Sequence, residues 1–254
     1  MSTCLSLPES QSTRASLSLV QRSRRAGPAE SPAALPILHR YFDALFAAHG
    51  EQHWWRSRSP FEIIVGAILV QNTAWTNATR AIANLRTARL LTPTGIAKVP
   101  QAKLARLVRP SGYFRQKALK LKAFARFLRD HYRGSLKTMF RTPTAQLREQ
   151  LLRVHGIGPE TADSILLYAG NHPVFVVDAY TRRILERHGL AHGKESYEGV
   201  RGLFEQSLPN DPKLFNEFHA LIVHTGKHHC WSRAPLCSTC ALRPFLPRPV
   251  DGSR

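Results

Sequence analysis

The 254-residue chain carries 36 lysines and arginines against 17 acids, a formal net charge of +19 with its 12 histidines neutral. That charge points to a polyanionic partner, while 43% hydrophobic residues support a buried core and exclude a chain that is disordered for most of its length. Collagen-like, coiled-coil and disulfide-scaffold classes are excluded too, and the lack of any long apolar run or apolar signal core predicts a soluble, intracellular protein with no membrane segment and no secretion signal.

Residues 1–36 are rich in Ser, Arg, Ala and Pro, with Arg22, Arg24 and Arg25, and show no sustained apolar period, so they read as a mobile basic tail. Glu9 and Glu30 argue against a targeting peptide there. From Leu38 the apolar residues fall at helical spacing. Tyr41, Leu45 and Phe46 come first, then Phe61, Ile64, Val65, Ile68 and Leu69, with Pro60 suited to a first turn and Ser59 placed to cap it. Further helices are predicted over Asn77–Leu85 and Lys103–Val108, the latter ending at Pro110-Ser111-Gly112. Over Arg115–His131 an inner face of Ala118, Leu121, Phe124, Ala125 and Leu128 sets Lys117, Lys120, Lys122, Arg126 and Arg129 on the polar side. Only Val174–Val177 has strand-like composition, and nothing offers it a pairing partner, so the fold class is all-α.

Residues Leu147–Ala169 read as a helix-hairpin-helix. One helix ends near His155, Gly156-Ile157-Gly158 turns, and a second helix opens at Pro159 with Ala162, Ile165, Leu166 and Ala169 on its buried face. Free amides at such a helix start form an anion site suited to a DNA phosphate, bound without reading sequence. Downstream, the apolar run Pro173–Val177 delivers Asp178 to the head of another helix, where it can act as an N-cap, as a catalytic carboxylate, or as both.

Gly156-Ile157-Gly158 together with Val177-Asp178 resembles the hairpin plus Gly/Pro-Asp signature of the endonuclease III superfamily of DNA glycosylases, over about Leu38 to Cys240. The blocks Pro60–Trp75, Ser111–Ala118 and Asn216–Val223 agree with it in order. The resemblance implies two helical lobes with the base pocket between them: residues 59–169 as a six-helix barrel module carrying the hairpin at 147–169, and residues 37–58 with 170–229 as the second lobe. Residues 230–246 then form a cysteine loop and 247–254 a tail. It further implies base excision repair, with double-stranded DNA holding a damaged base as the partner, a monomer, and, in a bacterial cell, a cytoplasmic, nucleoid-associated location.

Asp178 matches the family's catalytic aspartate, which stabilises an oxocarbenium-like sugar and directs the attacking water. Bifunctional members carry a lysine after the hairpin turn that forms a Schiff base with the sugar. Glu160 stands at that position here. A carboxylate cannot form an imine, so a monofunctional enzyme with weak or absent lyase activity is expected; a first-turn glutamate also suits the helix dipole. Gly66 stands where adenine-mismatch members carry an extra acid, which disfavours that branch. Gln71-Asn72-Thr73-Ala74-Trp75 with Trp54-Trp55 upstream resembles the alkylpurine branch of the 3-methyladenine type. Trp54 and Trp55 can wall a pocket for a cationic alkylated purine through cation–π attraction, or simply pack; Gln71 and Asn72 can fill the emptied duplex position, or be satisfied helix-end amides.

Cys230-x6-Cys237-x2-Cys240 reproduces three ligands of the family's four-cysteine [4Fe–4S] motif, but Leu246 stands at the fourth position. An empty, degenerate site, an iron–sulfur cluster helped by Cys4, and a zinc site completed by His228 or His229 are the three readings. Two rival functions stand beside the main one. They are a glycosylase/lyase for oxidised pyrimidines using an amine from elsewhere, and a non-catalytic hairpin module that binds DNA.

Overall fold

The computed structural model describes residues 37–52 and 59–247. Cys4, Trp54 and Trp55, with the rest of the N-terminal tail and the last seven residues, lie outside them. Among the described residues every regular element is helical. In chain order these are α1 (Ile37–His49), α2 (Pro60–Leu69), α3 (Trp75–Thr87), α4 (Pro93–Lys98), α5 (Gln101–Leu107), α6 (Phe114–Tyr132), α7 (Leu136–Met139), α8 (Thr144–Leu152), α9 (Pro159–Ser164), α10 (Ala179–Arg187), α11 (Tyr197–Ser207) and α12 (Pro212–His228). A π-helical turn, Ile165–Ala169, extends α9.

Helix starts follow local chemistry. The Ser59 hydroxyl accepts the Glu62 amide at 3.2 Å, Pro60 fills the first turn of α2, and Thr92, Ser135, Ser196 and Asp211 cap α4, α7, α11 and α12 in the same way. Helix α2 buries every residue from Ile63 to Leu69, and so runs through the middle of the first core. That core joins α2 to residues of α3, α5, α6, α8 and α9, while the second gathers α1, α10, α11 and α12. In the second core Phe175 stacks on Phe204 at 3.7 Å between centroids and meets Phe215 and Phe218 edge-on.

The chain crosses between the cores over 170–178, and the strand-like segment lies there. Val174, Phe175, Val176 and Val177 are buried and outside regular secondary structure; the Phe175 amide bonds to Glu205 Oε1 (2.9 Å) and the Val177 amide to the Tyr197 hydroxyl (3.3 Å). Side chains thus meet the backbone donors that a neighbouring strand would otherwise meet.

An ion network fastens the seam. The buried Asp163 carboxylate accepts a fork from Arg148 (Nε–Oδ1 2.6 Å, Nη2–Oδ2 3.1 Å); Arg148 also reaches Glu198 at 2.7 Å, and Arg201 lies 3.8 Å from Asp163. Helices α8 and α9 of the first core are thereby tied to α11 of the second. Burial raises the Asp163 carboxyl above its usual range even though both arginines oppose the shift.

Lys117 departs from the sequence pattern. Helical periodicity sets it on the polar face of α6, yet it is 2% exposed. Its ammonium donates to Leu69 O (2.8 Å) and Ser111 O (2.6 Å), two carbonyls at the ends of short elements that have no helical partner. Burial, with Lys120 adding to it, pushes the amine down to about 8.

Candidate active site and nucleic-acid interface

Three turns converge on the N-terminal half of α6. The first follows α2 and carries Gln71 and the exposed Asn72, whose φ of +52° is left-handed. The second is Gly112-Tyr113, where Tyr113 is 73% exposed at φ +43°. The third is the hairpin turn. Lys117 holds the bases of the first two, and Lys120 reaches the Gln71 Oε1 beside the third. Gln71 Nε2 in turn donates to Gly156 O (3.1 Å) and Thr161 Oγ1 (2.8 Å). The Gln71 amide is thus bonded into the hairpin, whereas Asn72 points to solvent.

The hairpin needs its glycines for different reasons. Gly156 sits at φ +80°, and a Cβ there would meet Lys120 Cγ at 2.3 Å, so both backbone and space demand glycine. Gly158 is exposed, brings no side chain to cap α9, and leaves the first-turn amides to an outside acceptor. Ile157 is the anchor, 4% exposed in the first core.

A cluster of ionisable groups lies where the two cores meet. Asp178 caps α10: its Oδ1 accepts the Thr181 amide (2.8 Å) and hydroxyl (2.9 Å), and Oδ2 faces His219 Nε2 at 3.7 Å. Glu160, in the first turn of α9, is exposed at its outer side, yet desolvation by the surrounding protein and then the Asp178 charge push its carboxyl up to about 7. Tyr168 stands behind with its hydroxyl 2.5 Å from His219 Nδ1. Desolvation raises the Tyr168 phenol, and Asp178 and Glu160 add to the shift; burial lowers the His219 imidazole. The geometry brings Asp178 and Glu160 within electrostatic reach of each other from opposite cores. A carboxyl raised in this way beside a second one can serve as an acid.

Tyr113, Tyr168 and His219 are given no site role by sequence reasoning, although Tyr113 and His219 lie in blocks that resemble the family. Tyr113 is marked only by its left-handed backbone, and Tyr168 and His219 meet across 51 residues.

The cysteine loop packs on the second core. Cys230, Cys237, Cys240 and His229 line one enclosed cavity, and Leu246 lines it too, from the position where a fourth thiol is expected. Arg183 donates to Cys230 O (2.7 Å) and Arg187 to Cys230 Sγ (3.1 Å), Trp231 O (2.6 Å) and Ser232 O (2.8 Å), which anchors the loop. Among the described residues the cavity offers three thiols and a leucine side chain, one thiol short of a four-thiolate cluster, and Cys4 lies outside those residues. Among the described residues no three His, Cys, Asp or Glu groups converge as a mononuclear centre would require.

Comparison with known proteins agrees with this arrangement. Residues 65–210 match the family model described as HhH-GPD superfamily base excision DNA repair protein. A protein of Methanocaldococcus jannaschii to which DNA repair glycosylase activity is ascribed is 41% identical over 211 residues, covering 82% of this chain and 95% of its own. The 3-methyladenine DNA glycosylase of H. pylori, seen bound to 1,N6-ethenoadenine, superposes with a TM-score of 0.66 at 29% identity, over 75% of this chain and 97% of that one. An endonuclease III trapped as a covalent intermediate with DNA shares the fold at a TM-score of 0.70 and 23% identity, over 82% and 93% of the two chains. The chain belongs to the HhH-GPD superfamily of base excision DNA repair proteins, as a DNA glycosylase of the endonuclease III-like fold.

Proposed function

We propose that the enzyme is monofunctional. It flips a damaged base, an alkylated purine foremost, out of double-stranded DNA and hydrolyses the N-glycosidic bond with water, leaving an abasic site. The observation that carries this reading is Glu160. In the first turn of α9, coupled to Asp178, it holds the place from which an amine attacks the sugar in bifunctional relatives.

In this reading the Asp178 carboxylate, steadied on Oδ1 by Thr181, turns Oδ2 toward the developing oxocarbenium ion and the attacking water. Glu160, raised to about 7, supplies a protonated partner below that pH. Gly156, Ile157 and Gly158 hold a backbone phosphate. Asn72 and Tyr113, the exposed tips of the neighbouring turns, occupy the gap left by the flipped nucleotide, with Gln71 bracing the first of them against the hairpin. Trp54 and Trp55 would wall the base pocket from a segment outside the described residues. The likeness to a 3-methyladenine glycosylase supports a modified purine as substrate. The protein acts as a monomer, and the cysteine loop braces the second core without entering the chemistry.

The test is a panel of duplexes with alkylated, oxidised or deaminated bases, each reaction analysed directly and after hot alkali. Breaks seen only after alkali support the proposal. Breaks without alkali, with borohydride trapping of a protein–DNA adduct, would establish a lyase. Binding with no base release on any duplex would leave a DNA-binding module. In parallel, Asp178→Asn should lose turnover and keep salt-sensitive binding.

A further inference from the structure

Asp178 spends Oδ1 on the cap of α10, so the orientation of Oδ2 depends on what faces it. That group is His219, 4% exposed on the inner face of α12 among Phe218, Leu221 and Ile222. An imidazole in such surroundings costs free energy unless its nitrogens are used. Nδ1 meets the Tyr168 hydroxyl at 2.5 Å, and Nε2 lies 3.7 Å from Asp178 Oδ2.

The donor inventory then fixes the ring. A carboxylate only accepts, so the nitrogen facing Oδ2 is the one that carries the proton; Nδ1 is left with its lone pair, and the Tyr168 hydroxyl donates to it. Among the described residues Asp178 and Glu160 act on the Tyr168 phenol, and Asp178 acts on the His219 imidazole. Burial disfavours a second proton on the imidazole and loss of the phenol proton, so the chain Tyr168 to His219 to Asp178 keeps a single polarity. Tyr168 sits in the π-helical turn that follows α9, a backbone irregularity frequent at functional sites. The 3.7 Å spacing is longer than a closed hydrogen bond, as is common in ligand-free catalytic centres that tighten around substrate.

We propose that Tyr168 and His219 are a positioning pair for base release. The Nε2-protonated tautomer of His219, held by the Tyr168 hydroxyl, aims Oδ2 of Asp178 at the reacting centre. The inference rests on Asp178 being the catalytic carboxylate.

The test uses the full-length protein on duplex DNA methylated with dimethyl sulfate, following released bases by chromatography under single-turnover conditions, and a tetrahydrofuran abasic-site duplex for affinity. Tyr168→Phe and His219→Leu should slow release by about 10- to 100-fold, the scale of a lost hydrogen bond to a charged group, with affinity for the abasic duplex unchanged. His219→Gln, whose amide N–H extends toward the Nε2 position, should recover most of the rate. Independently of any substrate, 15N spectra of histidine-labelled protein should show His219 as the neutral Nε2–H tautomer, with the pattern collapsing in Tyr168→Phe. Wild-type release by His219→Leu, equal losses of affinity and rate, or the Nδ1–H tautomer would each overturn the proposal. An active Asp178→Asn would instead overturn the reading beneath it. If methylated DNA yields no base with the wild type, the tautomer alone decides.

Discussion

Asp163→Ala removes the fully buried one of the two carboxylates, Asp163 and Glu198, that both Arg148 and Arg201 approach at the seam. Breaking a buried pair by deleting one partner costs about 3–5 kcal/mol, because the remaining charge stays desolvated. Arg148 has 14% of its side chain exposed and keeps Glu198, itself half exposed, at 2.7 Å, which places the expected loss at the lower end, ~3 kcal/mol. For a chain of this length that corresponds to a fall in Tm of roughly 6–12 °C. Urea and thermal denaturation of wild type, Asp163→Ala, Arg148→Met and the double variant give the coupling directly. The double variant should lose less than the two single losses added together, since it leaves no orphaned guanidinium. A loss below about 1 kcal/mol for Asp163→Ala, the scale of a surface pair, would refute the account of the seam.

Three further outcomes follow from the site. Glu160 holds its proton below about 7 and loses it above, so wild-type base release should decline as pH rises through that value, while Glu160→Gln, neutral throughout, should give a flatter alkaline limb; coincident single-turnover profiles would refute the assignment. Gly156→Ala should cost about 1–2 kcal/mol for the left-handed backbone alone and weaken DNA binding as Lys120 is displaced from Gln71, measured by denaturation and by fluorescence anisotropy with a labelled duplex. Lys117→Met should leave the Leu69 and Ser111 carbonyls unmet and destabilise the chain by about 1–3 kcal/mol. The sign of its pH dependence is set by the low amine value: folded protein releases the Lys117 proton near 8 and unfolded protein near 10.5. Wild-type stability should therefore rise relative to Lys117→Met across that window, and a difference that stays flat with pH would count against a charged, buried amine.

The sequence made some parts of this molecule plain because short-range rules decide them. Ser59-Pro60 ahead of an apolar run dictates the start of α2, and Gly156-Ile157-Gly158 before Pro159 dictates the hairpin; both depend on neighbours within one turn. Lys117 was not legible. Its place on the polar side of α6 follows from periodicity, and what draws it inward is a pair of carbonyls 48 and 6 residues away. Val174–Val177 has strand composition for a valid reason, burial of all four side chains, but its backbone donors meet the side chains of Tyr197 and Glu205. The bond between Tyr168 and His219 is beyond any local pattern, because each is an unremarkable helix residue until the cores dock. Asp178 could be read as cap or catalyst from spacing alone; the cap is now visible in its bonds to Thr181, while the second oxygen faces His219.

Glu160 and Asp178 begin helices that belong to different cores, which the 170–178 segment and an ion network tie together. Neither core alone holds the pair, so in the proposed mechanism turnover depends on their registration, and the proton affinity of Glu160 is a gauge of it. Parting the cores by a few ångströms readmits water to Glu160 and removes the Asp178 field, and both changes let the carboxyl relax toward an ordinary value while both helical bundles persist. Mild denaturant should then silence turnover before helicity falls, which makes activity a more sensitive reporter of the seam than any measure of secondary structure.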